Sequence, residues 1–86
     1  MSRVALVTGG TRGIGAAISI AMKTAGYHVA ATYAGNDAAA AAFTAEHGIK
    51  TFKWSVADYD ACVAGIAEVE AALGPVDVLV NNAGIT

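Results

Sequence analysis

Hydrophobic residues along the chain alternate between two spacings, which predicts strands separated by helices. Residues 3–8 (RVALVT) form a short, continuous apolar run rich in valine, as expected for a strand buried on both faces. From Gly13 to about Ala25 the spacing is helical, and Gly26 is expected to end this helix. The stripe expected to face the sheet consists of Ile14, Ile18, Ala21 and Ala25.

The same alternation predicts three further strands and two further helices. Strands are expected at His28–Tyr33, at residues 49–56 and at Val76–Val80. An alanine-rich helix is expected at Asp37–His47, closed by Gly48.

The last predicted helix begins after Asp58, a favourable N-cap residue, and ends at Gly74 and Pro75. Apolar residues recur along it at helical spacing and should form its buried face. They are Cys62, Ile66, Val69 and Leu73.

Strands and helices therefore follow the order β-α-β-α-β-α-β. This order is typical of an α/β fold with a parallel sheet and right-handed crossovers. The fourth strand, Val76–Val80, is almost wholly apolar, so it would lie at an open edge if the chain ends at Thr86, whereas the sheet of a longer protein would cover it.

The composition is unusually apolar for a chain of 86 residues. Charged residues make up 14% and hydrophobic residues 56%, whereas an ordinary soluble domain has about 25% charged residues. No run reaches the roughly 20 apolar residues that span a membrane, and no secretory signal is present, so a membrane protein is not expected. The composition indicates apolar faces that a longer protein would cover. The net charge of −2, without a basic cluster, argues against nucleic acid as a partner.

Neither a disulfide nor a metal site is expected. The single cysteine, Cys62, has no partner for a disulfide within the chain, which fits a reducing cytoplasm. His28 and His47 have no partner at metal-ligand spacing.

A glycine-rich segment, TGGTRGIG at residues 8–15, lies between the first predicted strand and the first predicted helix. Phosphate binding at such a junction needs a tight turn, close backbone approach and free N–H groups at a helix N-terminus. Gly9 is expected to make the turn, Gly13 to admit a pyrophosphate, and Gly15 to let the helix pack against the strand. The segment therefore predicts a Rossmann-type nucleotide-binding loop, the alternative being a glycine turn without a ligand.

Two motifs, TGGxxGIG at residues 8–15 and LVNNAG at residues 79–84, resemble those of the short-chain dehydrogenases/reductases. The resemblance covers the whole chain. Within the family, residues 81–86 (NNAGIT) are most similar to the bacterial acetoacetyl-CoA reductases, with the 3-oxoacyl-carrier-protein reductases as close relatives. The resemblance implies NADPH-dependent reduction of a 3-oxoacyl thioester, for polyhydroxybutyrate synthesis, by a cytoplasmic homotetramer.

The cofactor is expected to be NADP(H) rather than NAD(H). Rossmann folds that bind NAD place an acidic residue at the end of the second strand, where it accepts hydrogen bonds from the ribose hydroxyls. Residues 32–36 (TYAGN) carry no carboxylate, and the first one is Asp37. Arg12 can donate paired, charge-assisted hydrogen bonds to a 2′-phosphate, and the resemblance gives a basic residue at this position the same role.

The resemblance also implies the remaining cofactor contacts. The glycine loop would contact the pyrophosphate and the adenosine end, and Gly35 would border the 2′-phosphate. Residues 55–56 would border the adenine, although many relatives carry aspartate or asparagine at Ser55. Residues 82–84 would line the ribose, and the position of Asp77 is usually structural. The full expected set is Gly9, Gly10, Thr11, Arg12, Gly13, Ile14, Gly15, Gly35, Ser55, Val56, Asn82, Ala83 and Gly84.

Catalytic residues are not expected in this chain. The resemblance implies a catalytic tyrosine four residues before a lysine, together with an upstream serine and an asparagine in the helix after the fourth strand. Four residues beyond Tyr27, Tyr33 and Tyr59 lie Ala31, Asp37 and Val63.

Residues 1–86 are therefore expected to supply the NADP(H)-binding N-terminal part of a longer reductase, whose catalytic and substrate-binding half lies beyond them. A non-catalytic nucleotide-binding or self-associating module is one alternative. A Rossmann domain for FAD or S-adenosylmethionine is another, and the NNAG motif and the missing acidic residue both count against it.

Overall fold

The computed structural model describes residues 3–83, which form a four-stranded parallel sheet with three helices. The strands run in the spatial order β3-β2-β1-β4. The predicted α/β fold and the alternating order are confirmed. The elements are β1 (Val4–Val7), α1 (Gly13–Thr24), β2 (His28–Tyr33), α2 (Asp37–His47), β3 (Lys50–Lys53), α3 (Tyr59–Leu73) and β4 (Val76–Val80).

The sheet carries a core on each face, because successive side chains of a strand point to opposite sides. On one face Leu6 packs with Trp54 and with Val69 of α3. On the other face Val7 packs with Phe43 of α2, and α1 covers the same side through half-buried residues such as Met22. All four residues of β1 are at most 2% exposed, which confirms the prediction of a strand buried on both faces.

The predicted buried stripe of α1 is correct only at Ile18, which is half-buried and packs against the core. Ile14 is 75% exposed, and Ala21 and Ala25 are also exposed. The buried residues are instead Gly15 and Ser19, because α1 begins so close to the glycine loop that only very small residues fit between them.

The predicted face of α3 is correct at Val69, which is buried, and at the half-buried Cys62 and Leu73. Ile66 is 39% exposed, contrary to the prediction. Gly65 takes its place in the buried face, since a β-carbon there would collide with the indole ring of Trp54.

The third strand ends earlier than predicted, at Lys53 rather than at residue 56. The backbone N–H of Trp54 still donates to the Tyr33 carbonyl oxygen at 3.1 Å. Beyond it the chain turns, since the N–H of Asp58 donates to the Ser55 carbonyl oxygen at 3.1 Å. Asp58 then caps α3 as predicted, accepting a hydrogen bond from Ala61 N at 3.0 Å.

Strand β4 pairs with β1 alone among the described strands and therefore lies at an edge of the sheet that residues 3–83 form. Leu79 is 58% exposed there. The β1–β4 register shifts by one residue between Val4 and Ala5, and Asp77 Oδ2 accepts a hydrogen bond from Val4 N at 2.9 Å. Asp77 therefore has the structural role expected of it, satisfying a backbone donor that the shifted ladder leaves unpaired.

Candidate functional site

A cleft of about 810 Å³ opens at the carboxyl ends of the strands. Ligands of parallel α/β sheets bind at this edge, where neighbouring strands lead to helices on opposite faces. The cleft is lined by Gly9, Thr11, Arg12, Gly13, Ile14, Gly15, Thr32, Tyr33, Ala34, Gly35, Asn36, Ala39, Trp54, Ser55, Val56, Ala57, Asn82 and Ala83.

All but two of the residues expected to hold a cofactor line this cleft. Gly10 does not, because this residue of the glycine loop is buried on the side away from the cleft. A β-carbon on Gly10 would lie 2.7 Å from Ser19 Oγ and 2.9 Å from the β-carbon of Ala31, so the residue serves packing. Gly84 lies outside the described residues.

The glycine loop has the conformation that its sequence predicts. Gly9 and Gly13 have φ angles of 63° and 58°, in the left-handed region that glycine adopts without strain. A β-carbon on Gly13 would meet no atom of residues 3–83 within 4 Å, so these residues leave the space beside it open to a ligand. A β-carbon on Gly15 would collide with the Gly9 carbonyl oxygen, so the first turn of α1 lies directly against the loop.

The N-terminus of α1 is suited to an anion. Arg12 is its N-cap residue, its side chain makes no capping hydrogen bond, and the first turn contains no acidic residue. The first N–H groups of a helix have no partner within it, and the macrodipole adds positive potential there. Arg12 is exposed and forms no ion pair within residues 3–83, so its guanidinium is available to a bound anion.

Thr8 joins the glycine loop to the segment after β4. Its buried hydroxyl oxygen accepts hydrogen bonds from the backbone N–H groups of Asn82 and Ala83, both at 3.0 Å. The side-chain amide of Asn82 in turn donates to the Gly9 carbonyl oxygen at 3.3 Å. No local pattern indicates a role for the Thr8 hydroxyl, because only the pairing of β1 with β4 brings it into contact with residues more than 70 positions away.

The floor of the cleft is held by Thr32 and Trp54. Thr32 Oγ1 accepts a hydrogen bond from Gly9 N at 3.2 Å, and the Thr32 carbonyl oxygen accepts one from Gly10 N at 3.1 Å. Trp54 is 8% exposed and belongs both to the core and to the cleft lining. Nearby, Ser55 Oγ accepts a hydrogen bond from Ala57 N at 3.2 Å, so this hydroxyl already takes part in the turn after β3.

A cluster of Tyr33, Asp37 and Lys53 stands beside the cleft, next to Gly35. The Tyr33 hydroxyl donates to Asp37 Oδ1 at 3.1 Å, and Lys53 Nζ lies 3.1 Å from Oδ1 and 3.2 Å from Oδ2. The hydrogen bonds from Lys53 and Tyr33 lower the pKa of Asp37. Partial burial and the hydrogen bond to Asp37 raise the pKa of Tyr33, so its hydroxyl remains a donor. No local sequence pattern indicates this cluster, because Tyr33 and Lys53 meet only through the pairing of β2 with β3.

Residues 3–83 contain neither a membrane-spanning helix nor a cluster of metal-ligating side chains. No helix there combines the length and the hydrophobicity needed to cross a membrane. No three His, Cys, Asp or Glu side chains stand close enough together there to hold a metal ion.

The chain matches the family model described as short chain dehydrogenase over residues 3–86. It is 77% identical over 86 residues to the acetoacetyl-CoA reductase of Paracoccus denitrificans, covering 100% of this chain and 36% of that enzyme. It is 46% identical over 91 residues to a 3-oxoacyl-[acyl-carrier-protein] reductase of Staphylococcus aureus, covering 100% of this chain and 37% of that enzyme.

Among solved structures, the chain superposes on a blue fluorescent protein from a metagenomic library, in complex with NADPH. The TM-score is 0.88 and the identity 40%, over 96% of this chain and 36% of that one. The chain thus spans little more than a third of the length of the curated relatives that it matches.

Proposed function

The chain belongs to the short-chain dehydrogenase family, and we propose that it forms the NADP(H)-binding part of a reductase that acts on 3-oxoacyl thioesters. One observation carries the proposal: the cleft at the carboxyl ends of the strands joins the uncapped N-terminus of α1, the open space beside Gly13 and the exposed Arg12. Together they offer backbone donors for a pyrophosphate and a guanidinium for a further phosphate.

In this proposal each part of the cleft takes one part of the cofactor. The N–H groups at the start of α1 hold the pyrophosphate, and Arg12 and Gly35 border the 2′-phosphate. Residues 55–56 border the adenine, and residues 82–84 the ribose near β4. When bound, the cofactor supplies the hydride that converts a keto group into a secondary alcohol.

The substrate proposed for the whole protein is acetoacetyl-CoA, reduced to (R)-3-hydroxybutyryl-CoA. The 77% identity to an acetoacetyl-CoA reductase, against 46% to a 3-oxoacyl-[acyl-carrier-protein] reductase, favours the CoA thioester over the carrier-protein thioester. The proposal further includes a cytoplasmic homotetramer that serves polyhydroxybutyrate synthesis, with residues 1–86 as its cofactor-binding part.

The first test is a titration of the 86-residue chain with NADPH and with NADH, followed through the fluorescence of Trp54, the single tryptophan, which lines the cleft. We expect saturable binding that prefers NADPH by at least about tenfold, since charge-assisted hydrogen bonds to a phosphate contribute about 1.5–3 kcal/mol. A chain that is folded by circular dichroism and binds neither dinucleotide would contradict the proposal.

Replacing Arg12 by glutamine is expected to weaken NADPH binding by about 10–100-fold and to change NADH binding little. The loss corresponds to the charge-assisted hydrogen bonds to the 2′-phosphate, which NADH lacks. The Trp54 titration measures both affinities. The matched control is Arg3→Gln, which removes the same charge at the opposite, amino end of β1. An equal loss for both dinucleotides would assign Arg12 to the pyrophosphate instead.

The 86-residue chain alone is expected not to oxidise NADPH in the presence of acetoacetyl-CoA. Its sequence has no tyrosine followed four residues later by lysine, so it lacks the pair that would protonate the substrate oxygen. The decay of NADPH absorbance measures turnover, and the full-length reductase from Paracoccus denitrificans serves as the positive control. Turnover by the purified chain above the uncatalysed rate would show that this chain carries catalytic residues of its own.

A further inference from the structure

Asp37 is the first acidic residue after β2, and it adjoins the cleft residues that border the proposed 2′-phosphate position without lining the cleft itself. It follows Asn36, which lines the cleft, and its carboxylate contacts the hydroxyl of Tyr33, another lining residue. A free carboxylate at the end of the second strand is the group that Rossmann folds use to accept hydrogen bonds from the ribose hydroxyls of NAD. The same negative charge repels a 2′-phosphate.

The Asp37 carboxylate already has an ion-pair partner and a hydrogen-bond donor within the chain. Lys53 Nζ lies within 3.2 Å of both its oxygens, and the Tyr33 hydroxyl donates a hydrogen bond to Oδ1. The contacts follow from the fold, because β2 and β3 pair Tyr33 directly with Lys53 and Asp37 begins α2 one turn beyond Tyr33.

Stability does not account for the pair. The side chains of Lys53 and Asp37 are 51% and 66% exposed, and exposed ion pairs contribute little to folding because water screens them. The positive charge of Lys53 beside Asp37, however, makes the electrostatic potential at the adenosine end of the cleft less negative, and a bound phosphate would experience that potential.

We propose that Lys53 is a specificity-determining residue, which secures the preference for NADP(H) over NAD(H) by holding and neutralising Asp37. The proposal rests on the proposed function, since it concerns the same cofactor site. Lys53 acts through Asp37, and therefore removing the carboxylate makes Lys53 dispensable.

The test is a double-mutant cycle on the 86-residue chain with Lys53→Met, Asp37→Asn and the double variant. Trp54 fluorescence gives the Kd for NADPH and for NADH, and the measured quantity is their ratio. We expect Lys53→Met to reduce the preference for NADPH by about tenfold, because it leaves the Asp37 carboxylate near the phosphate without a neutralising cation. Asp37→Asn and the double variant should keep the wild-type preference.

Two controls accompany the cycle. Lys50→Met removes the same charge from an exposed position at the start of the same strand, and it should leave the ratio unchanged. Lys53→Arg keeps a cation beside Asp37 and should retain the preference. Circular dichroism spectra that match the wild type exclude unfolding as the cause of any change.

Three results would contradict either the role of Lys53 or the proposed function, and the experiment distinguishes them. A Lys53→Met chain with the wild-type ratio would refute the role of Lys53 while leaving NADP(H) binding intact. If the double variant prefers NADPH as weakly as Lys53→Met does, Lys53 contacts the phosphate directly. That result also refutes the proposal. A folded wild-type chain that binds neither dinucleotide would refute the proposed function itself.

Discussion

Replacing Gly15 by alanine is expected to lower the free energy of unfolding by about 3 kcal/mol and to weaken NADPH binding by at least about 100-fold. Helix propensity alone predicts the opposite sign, since alanine in a helix is more favourable than glycine by about 0.5–1 kcal/mol. The contact between Gly15 and the glycine loop reverses the sign of this stability change. A β-carbon on Gly15 would collide with the Gly9 carbonyl oxygen and lie 2.6 Å from Asn82 Nδ2.

The collision cannot be relieved by a side-chain rotation, because the Gly9 carbonyl belongs to the backbone. The loop must move away from α1, and both the turn at Gly9 and the open space beside Gly13 then change. Overpacking of this kind costs about 1–3 kcal/mol and sometimes more. Total stability is of order 5–15 kcal/mol, so a large part of it would be lost.

Urea unfolding followed by circular dichroism, together with the Trp54 titration, measures the two effects of Gly15→Ala. Gly35→Ala is the control for stability, because a β-carbon on Gly35 would meet no atom within 4 Å, and its effect should stay within about 0.5 kcal/mol. A Gly15→Ala chain as stable as the wild type, or one that binds NADPH normally, would mean that α1 does not press against the loop.

Replacing Thr8 by valine is the second large change, with an expected loss of about 1–3 kcal/mol in unfolding free energy. Valine has nearly the shape of threonine but no acceptor. The Ala83 N–H, 3.0 Å from the hydroxyl oxygen, would lose its acceptor in a half-buried position, whereas the Asn82 N–H would lose one of two acceptors and keep the Val80 carbonyl oxygen at 3.0 Å. A donor left unsatisfied away from water costs about 1–3 kcal/mol.

The effect of Thr8→Val should be concentrated in the segment after β4. We expect faster amide hydrogen exchange at Asn82 and Ala83, because opening of that segment no longer breaks two hydrogen bonds. Thr24→Val is the control, since the exposed Thr24 hydroxyl donates to the Ile20 carbonyl oxygen of its own helix, its one hydrogen bond within residues 3–83. Thr8→Ser retains the acceptor and should retain most of the protection. Unchanged exchange in Thr8→Val would show that the hydroxyl does not hold this segment.

Local patterns in the amino-acid sequence were enough to predict the order of elements and the loop that leads from β1 to α1. Strands and helices have different hydrophobic periods, and turns and caps need particular residues within a few positions. Asp58 at the start of α3 and Gly48 at the end of α2 are examples, since each acts on backbone groups of its own helix. The motif resemblance identified the family for the same reason, because each motif is contiguous in sequence.

Contacts between distant segments could not be predicted in this way. The face that α1 buries depends on its distance from the glycine loop, which places Gly15 and Ser19 inward although Ile14 is more apolar. The Thr8 hydroxyl finds its partners only because β1 and β4 are neighbours in the sheet. Lys53 likewise reaches Asp37 across paired strands. Side chains that meet across the sheet are selected by strand order and register, which arise from the packing of the whole chain rather than from any one segment of it.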